Sequence, residues 1–133
     1  MRDIKFRAWD YDTNTMIYPD SKLETIFCFD SVGLSVYQGN GSELSSFELM
    51  QYTGLKDKNG TEIYEGDIIE YHSDVINTFY KINKINRVVE YKYGMYGIEG
   101  IEKGTHIPFA NILKCNYKVI GNIYQNSDLL EDK

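Results

Sequence analysis

A chain of 133 residues is long enough to bury its own core as one domain, and its two cysteines, Cys28 and Cys115, are too far apart for a CxxC motif. A formal charge of −6 disfavours non-specific binding to a phosphate backbone, and no apolar run reaches the roughly 18 residues that a membrane span needs. The charged N-terminus lacks the apolar core of a signal peptide, so we expect a cytoplasmic protein whose two cysteines are buried and unpaired.

The first fifty residues are expected to form β-hairpins. Twelve tyrosines and six phenylalanines favour strands, and eleven glycines favour turns. Apolar and charged residues alternate over residues 4–9, and residues 16–18 return as the partner strand. Residues 23–29 and 34–38 form a second pair. Residues 45–52 fit a strand better than a helix capped by Ser46, although both readings stay open at this point.

The middle of the chain contains its strongest turn signal. Asn59-Gly60 predicts a two-residue type I′ turn, in which both residues have positive φ, inside a hairpin over residues 55–64. Ile68 and Ile69 then begin a strand, because β-branched residues suit a half-buried pleated surface.

The second half is predicted to be a small barrel or a curled antiparallel sheet. Its strands are expected at residues 77–82, 87–93, 96–101 and 117–124, with a connection at residues 83–86. Pro108 suits a sheet edge because it has no amide proton. A short helical turn is expected after Asn126 or Ser127. The fold class is therefore mainly β, or β-rich α+β, with residues 1–133 as a single domain that has a soft seam near residue 50.

The spacing of the candidate residues does not match known motifs for catalysis, metal binding or cofactor binding. A calcium loop that begins at Asp57 would need glycine where the chain has Glu62. His72 and His106 are far apart in sequence, and no serine or cysteine lies in a GxSxG turn. We therefore predict no catalytic residue, no metal ligand and no cofactor.

One group of residues favours a binding function. Residues 79–118 contain seven basic and three acidic side chains, with tyrosines interleaved. Single-stranded nucleic acid is bound by stacking bases on aromatic side chains within a positive groove. A core or a subunit interface explains the same tyrosines better. The candidate nucleic-acid set is Lys81, Lys84, Arg87, Lys92, Tyr80, Tyr91, Tyr93 and Tyr96.

Three separated motifs resemble the YopX family of phage and prophage proteins. They are MRDIKFRAWD at residues 1–10, QYTGLKDKNG with IYEGDII at residues 51–60 and 63–69, and KVIGNIY at residues 118–124 with a closing Leu129-Leu130. The resemblance covers nearly the whole chain. It implies a phage origin and a location in the host cytoplasm, and it supplies no catalytic residues.

The function expected from the sequence is that of a non-enzymatic accessory protein. It would act through self-association as a homo-oligomer, or through a phage or host protein partner. The alternative is a single-stranded nucleic-acid-binding small β-barrel, which the net charge of −6 disfavours. A small hydrolase or nuclease is a distant third hypothesis, because it needs carboxylates or histidines that the fold alone would bring together.

Overall fold

The computed structural model describes residues 4–19, 25–39, 41–77 and 82–130, with the backbone alone at residues 30, 73–77 and 82. The chain packs as two compact units, one formed by residues 4–51 and the other chiefly by the chain from residue 52 onward. The division falls inside one long strand. That the whole chain is a single domain stays a prediction.

The N-terminal unit consists of antiparallel strands, as the alternation of its residues predicts. Its strands are β1 (Phe6–Asp10), β2 (Thr15–Ile17), β3 (Ile26–Asp30), β4 (Gly33–Tyr37) and the first part of β5 (Phe47–Lys56). Strand β1 lies between β2 and β5, and Ala8 is opposite both Ile17 and Leu49. Strands β3 and β4 form a separate two-stranded hairpin. The strand reading of residues 45–52 is confirmed from Phe47 onward.

A small core and a buried carboxylate stabilise this unit. Ala8, Val36 and Leu44 are buried together, and half-buried residues such as Phe27 pack against them. The buried Asp10 accepts hydrogen bonds from the Asp12 N–H at 3.0 Å and from the Thr13 hydroxyl at 2.8 Å. These bonds fold the turn between β1 and β2, because a short carboxylate side chain readily bonds the backbone two residues on.

The C-terminal unit is a curled antiparallel sheet, and this confirms the predicted fold class. Its strands are β6 (Glu62–Tyr64), β7 (Asp67–Asn77), β8 (Ile82–Lys92), β9 (Met95–Glu99), β10 (His106–Pro108) and β11 (Tyr117–Asn122). Five of them lie in the order β10-β9-β8-β7-β11, while β6 pairs with the second part of β5. Pro108 lies on an edge strand, as its missing amide proton requires. Short 3-10 helices span Phe109–Asn111, Lys114–Asn116 and Ser127–Leu130, and the last is the predicted helical turn.

One apolar cluster forms the core of this unit. Its buried members come from most of the strands and from the first 3-10 helix. They are Ile63, Ile69, Ile85, Val89, Ile98, Phe109 and Tyr117. Among the described residues, no helix is long and apolar enough to cross a membrane.

The loop between β5 and β6 is organised by Asp57. This side chain is only 1% exposed, and its Oδ1 accepts hydrogen bonds from the N–H groups of Asn59 and Thr61, both at 2.9 Å. Its Oδ2 accepts a third bond from the Val119 N–H in β11, at 2.8 Å. Gly60 has a φ of 82°, whereas Asn59 does not have positive φ. The predicted type I′ turn is therefore wrong, because the buried carboxylate gathers the amides into a longer loop.

Two further predictions are wrong, namely the connection at residues 83–86 and the burial of the cysteines. The expected connection at residues 83–86 lies inside β8, where buried Ile85 is opposite Tyr71. Its polar neighbours simply point to the other face, because side chains alternate along a strand. Of the expected strand at residues 77–82, Asn77 ends β7 and Ile82 begins β8, while residues 78–81 lie outside the described residues. The cysteines are free as expected, but both are exposed rather than buried.

Candidate functional site

The turn between β8 and β9 combines backbone strain with an exposed aromatic ring. Lys92 is opposite Met95, so Tyr93 and Gly94 alone form the connection, with φ values of 55° and 78°. This is the geometry of a type I′ turn, which asparagine and glycine adopt most easily. A bulky residue with positive φ is an outlier that costs about 1 kcal/mol. Tyr93 is nevertheless 71% exposed, so burial of its ring does not repay that cost.

Three exposed aromatic or apolar side chains lie at the end of this hairpin. Tyr93 is in the turn itself. Tyr91, which is 55% exposed, is opposite Tyr96 on one face of the hairpin, and Met95, which is also exposed, is opposite Lys92 on the other face. The Tyr91 ring lies 4.8 Å from the ring of half-buried Tyr96, centroid to centroid, and this contact holds it in place. We call Tyr91, Tyr93 and Met95 the hairpin-tip surface. Exposed aromatic and methionine side chains of this kind are enriched in protein interfaces.

Lys92 and His106 restrain the Tyr93 ring. The Lys92 Nζ lies 5.4 Å from the ring centroid and donates a hydrogen bond to the Gly104 carbonyl at 3.3 Å. The His106 ring meets the Tyr93 ring edge-on, with centroids 6.0 Å apart. A restrained aromatic side chain loses little conformational entropy when a partner covers it, and this preorganisation favours binding.

Beneath the tip lies a histidine–carboxylate pair that the sequence did not reveal. The His106 Nδ1 and the Glu90 Oε2 are 3.0 Å apart, and the His106 side chain is only 1% exposed. The His106 Nε2 is buried and has no hydrogen-bond partner. A general base needs its reactive nitrogen within reach of a substrate. The buried Nε2 does not meet that condition.

Gly97, on β9 between β8 and β10, allows Glu90 and His106 to meet. It lies opposite both Glu90 in β8 and Pro108 in β10. A Cβ atom added at Gly97 would collide with the Ile107 carbonyl oxygen and would lie 2.7 Å from the Pro108 Cα. The absence of a side chain thus permits the close approach of β10. A lone glycine in a strand was the only sequence signal that pointed to this packing.

A cavity of about 330 Å³ adjoins the pair. Its lining consists of Asn86, Arg87, Val88, Glu90, Glu99 and Leu130. The Arg87 Nε and Nη1 donate hydrogen bonds to the backbone carbonyls of Gly100 and Asn86, at 3.4 Å and 2.9 Å. The guanidinium therefore braces the backbone, and at least these two of its donors are occupied by the protein itself.

The structure separates the basic residues of the candidate nucleic-acid set. Lys84 and Lys92 share one face of β8, but eight residues of strand place them roughly 26 Å apart. Arg87 points to the opposite face, because side chains alternate along a strand. Of the described members of the set, Tyr91, Lys92, Tyr93 and Tyr96 lie at the tip, with Tyr91 and Tyr96 on one face of the hairpin and Lys92 on the other. Tyr80 and Lys81 lie outside the described residues.

The other chemical candidates are also dispersed. His72 is exposed on β7, opposite Lys84, and is thus on a different strand from His106. Across the residues that the structure describes, no three histidine, cysteine, aspartate or glutamate side chains gather as metal ligands would. Asp57, the first residue of the rejected calcium loop, has both oxygens bonded to backbone amides.

Comparison with known proteins identifies relatives of this fold. The family described as YopX protein matches residues 5–131. The crystal structure of protein EF1440 from Enterococcus faecalis is 28% identical, with a TM-score of 0.60, over 98% of this chain and 100% of that one. The crystal structure of protein yopX from Bacillus subtilis is 21% identical, with a TM-score of 0.69, over the same shares of the two chains. No curated protein matches the chain.

Proposed function

The chain belongs to the YopX family, and from that premise we propose that it is a non-enzymatic accessory protein of phage or prophage origin. It works in the host cytoplasm by binding protein molecules. These are further copies of the chain, or a partner from the phage or the host.

The observation that carries this proposal is the strained and exposed Tyr93. Asparagine or glycine at this position would suit the turn better, so the tyrosine lowers stability. In return it presents a restrained aromatic ring at the end of a hairpin that also exposes Tyr91 and Met95. Exposed tyrosine is a frequent anchor of protein interfaces because its ring buries a large area at a small entropic cost. Partner binding is the function that this arrangement supports best.

The histidine–carboxylate pair supports the non-enzymatic part of the proposal. His106 is held by Glu90 as a general base would be, but its free nitrogen is enclosed by protein. No described serine or cysteine side chain is hydrogen-bonded to it, and a nucleophile would need that contact. The pair therefore acts as a strut between β8 and β10.

Hairpin-tip variants test the proposal. We expect the wild-type protein to capture a partner from infected cells and the double variant Tyr91→Ser/Tyr93→Asn to lose it. Leu113→Ser is the matched control, because Leu113 is as exposed as Tyr93 but lies outside the hairpin-tip surface. A wild-type protein that sediments as a strict monomer and captures nothing would contradict the proposal.

Single-stranded nucleic acid is the alternative ligand, since the two exposed tyrosines flank Lys92. Stacking on Tyr91 and Tyr93 would contribute roughly 1–3 kcal/mol per base. If the wild type binds a short labelled oligonucleotide at low salt, and if Lys92→Glu and Tyr93→Ala each reduce that binding, then nucleic acid rather than a protein is the ligand of this site. Equal binding by the wild type and both variants, or no binding at all, would remove the alternative.

A further inference from the structure

The pair Asn59-Gly60 is chemically reactive as well as turn-forming. The side-chain carboxamide of an asparagine is slowly attacked by the backbone nitrogen of the next residue, and glycine hinders that attack least because it has no Cβ. Asn59 and Gly60 are both exposed, and a Cβ atom added at Gly60 would meet nothing within 4 Å. The Asn59 carboxamide makes no hydrogen bond to any residue that the structure describes. Solvent therefore reaches the pair.

The attacking nitrogen is nevertheless occupied in the Asp57 loop, which we define as residues 57–61. The Gly60 N–H donates a hydrogen bond to the Asp57 carbonyl at 3.0 Å. The Asp57 N–H donates to the Thr61 carbonyl at 2.9 Å, and the Asn59 and Thr61 N–H groups both donate to the Asp57 Oδ1 at 2.9 Å. To attack, the Gly60 nitrogen must lose its proton and turn toward the Asn59 side chain. The reaction therefore requires the loop to open.

We propose that Asn59 is a site of spontaneous deamidation, and that the Asp57 loop confines the reaction to molecules in which the loop is open. In the open loop the Gly60 nitrogen gives its proton to solvent base and forms a bond to the Asn59 Cγ. The Cγ–Nδ2 bond breaks, and this nitrogen leaves as ammonia after it takes a proton from water. Water then opens the resulting succinimide at one of its two carbonyls, which leaves aspartate or isoaspartate at position 59. This inference is independent of the proposed function.

The two products affect the loop differently. Isoaspartate lengthens the main chain between residues 59 and 60 by one carbon atom. The N–H groups of residues 59 and 61 share a single oxygen of Asp57, so the longer chain no longer places both of them on it. Aspartate leaves the backbone unchanged and places its charge in solvent, because position 59 is exposed. We thus expect the isoaspartate product, and not the aspartate product, to keep the loop from closing.

Peptide mapping by mass spectrometry measures the reaction. Wild-type protein is incubated at mildly alkaline pH, either folded in buffer or unfolded in urea, and both products at position 59 are quantified over time. We expect deamidation of Asn59 to be at least about tenfold slower in the folded protein, because opening the loop breaks several hydrogen bonds. The other Asn-Gly pair of the sequence, Asn40-Gly41, serves in the urea sample as a reference for an unprotected pair.

Hydrogen exchange at the Gly60 amide measures loop opening independently, because exchange requires the same N–H to leave its acceptor. Relative to the unfolded chain, exchange and deamidation should be slowed by the same factor to within about threefold, since both need the open loop. This comparison uses the wild type alone and therefore needs no substitution. Factors that differ by about tenfold or more would contradict a common opening step.

Two substitutions test whether Asp57 confers the protection. Asp57→Ala removes the acceptor of the Asn59 and Thr61 N–H groups, so we expect deamidation at least about fivefold faster than in the wild type. Asp57→Asn is the matched control, and its rate should stay closer to that of the wild type because its amide oxygen still accepts hydrogen bonds. Circular dichroism shows whether each variant is folded. If Asp57→Ala does not fold, the exchange comparison on the wild type decides.

The outcomes that overturn the proposal are distinct. No deamidation of Asn59 in urea overturns the site itself. Equal rates in the folded and the urea-unfolded wild type overturn the protection by the loop. A folded Asp57→Ala protein that deamidates no faster than the wild type overturns the role of Asp57.

Discussion

Two hairpin connections of the C-terminal unit, the β5–β6 loop and the β8–β9 turn, each reverse the chain, but different features determine their conformations. The loop after β5 has the turn-forming pair Asn59-Gly60, yet its conformation is set by the buried Asp57. The turn after β8 has a tyrosine where asparagine is preferred, yet it forms the tight turn with two positive φ values. The first connection contributes stability, and the second gives up stability to expose an aromatic ring. A turn dipeptide therefore sets the conformation only where no buried side chain competes for the same amides.

Loss of the Asp57 carboxylate should have the largest effect. Asp57→Ala leaves the N–H groups of Asn59, Thr61 and Val119 without their acceptor, and we expect the free energy of unfolding to fall by about 3–5 kcal/mol. Asp57→Asn is the matched control and should lose less, because its amide oxygen still accepts hydrogen bonds. Urea denaturation measures both. A loss below about 1 kcal/mol for Asp57→Ala would show that the carboxylate does not organise this loop.

The glycines of the two connections should respond alike. Gly60 and Gly94 have φ values of 82° and 78°, and a Cβ atom at either position would meet nothing within 4 Å. Gly60→Ala and Gly94→Ala therefore measure backbone strain alone, and each should cost about 1–2 kcal/mol. Chemical denaturation of the two variants side by side checks this. Unequal losses of stability would mean that the two connections also differ in backbone strain, and not only through the side chains of Asp57 and Tyr93.

Tyr93→Asn should stabilise the protein slightly. Asparagine tolerates positive φ better, so we expect the free energy of unfolding to rise by about 0.5–1 kcal/mol. The lost contacts with Lys92 and His106 offset part of that gain. Tyr91→Ser is a control that leaves the turn backbone unchanged. A destabilised Tyr93→Asn protein would mean that the ring contributes more by packing than the turn loses by strain.

The smallest effect at neutral pH concerns Tyr117, a core residue close to Asp57. Burial, and secondarily the charge of Asp57, raises the pKa of the Tyr117 phenol above its ordinary value of 10.0. The folded state thus holds the phenolic proton more tightly than the unfolded state. Stability should be unaffected below about pH 10 and should fall as the pH rises above it.

Tyr117→Phe isolates that titration. The variant has no phenolic proton, so its stability should decline less between about pH 10 and pH 11.5 than that of the wild type. Thermal melts at matched pH values compare the two slopes. Parallel slopes would contradict a raised pKa at this position.

Local patterns in the sequence predicted much of the fold. Alternation over residues 4–9 and the apolar start at Ile68 gave strands in the right places, since a strand's period is visible within a few residues. The prediction of a connection at residues 83–86 was wrong because these residues are mostly polar, as in a loop. Only the pairing of β8 with β7 shows that the polar side chains lie on the outer face of a strand. The YopX signature added the family but no chemistry.

The candidate site was harder to predict because it depends on strand register. Glu90 and His106 are sixteen residues apart and meet across Gly97, whose importance is visible only once β10 is beside β9. Tyr93 gave no turn signal, because tyrosine is among the residues least expected at positive φ. Of the described members of the predicted basic and aromatic set, only the residues around the β8–β9 turn lie at the same place in the fold. These residues are close in space because they are close in sequence, on either side of a two-residue hairpin turn.

The bond between the Asp57 carboxylate and the Val119 amide has a consequence for the order of events during synthesis. The two residues are 62 positions apart, so a ribosome that adds about 5–20 residues per second makes Val119 roughly 3–12 s after Asp57. During that interval one oxygen of Asp57 lacks its final donor, and β7 lacks its neighbour β11. The loop that contains Asn59-Gly60, the strongest turn signal of the sequence, is thus completed by one of the last strands to be made.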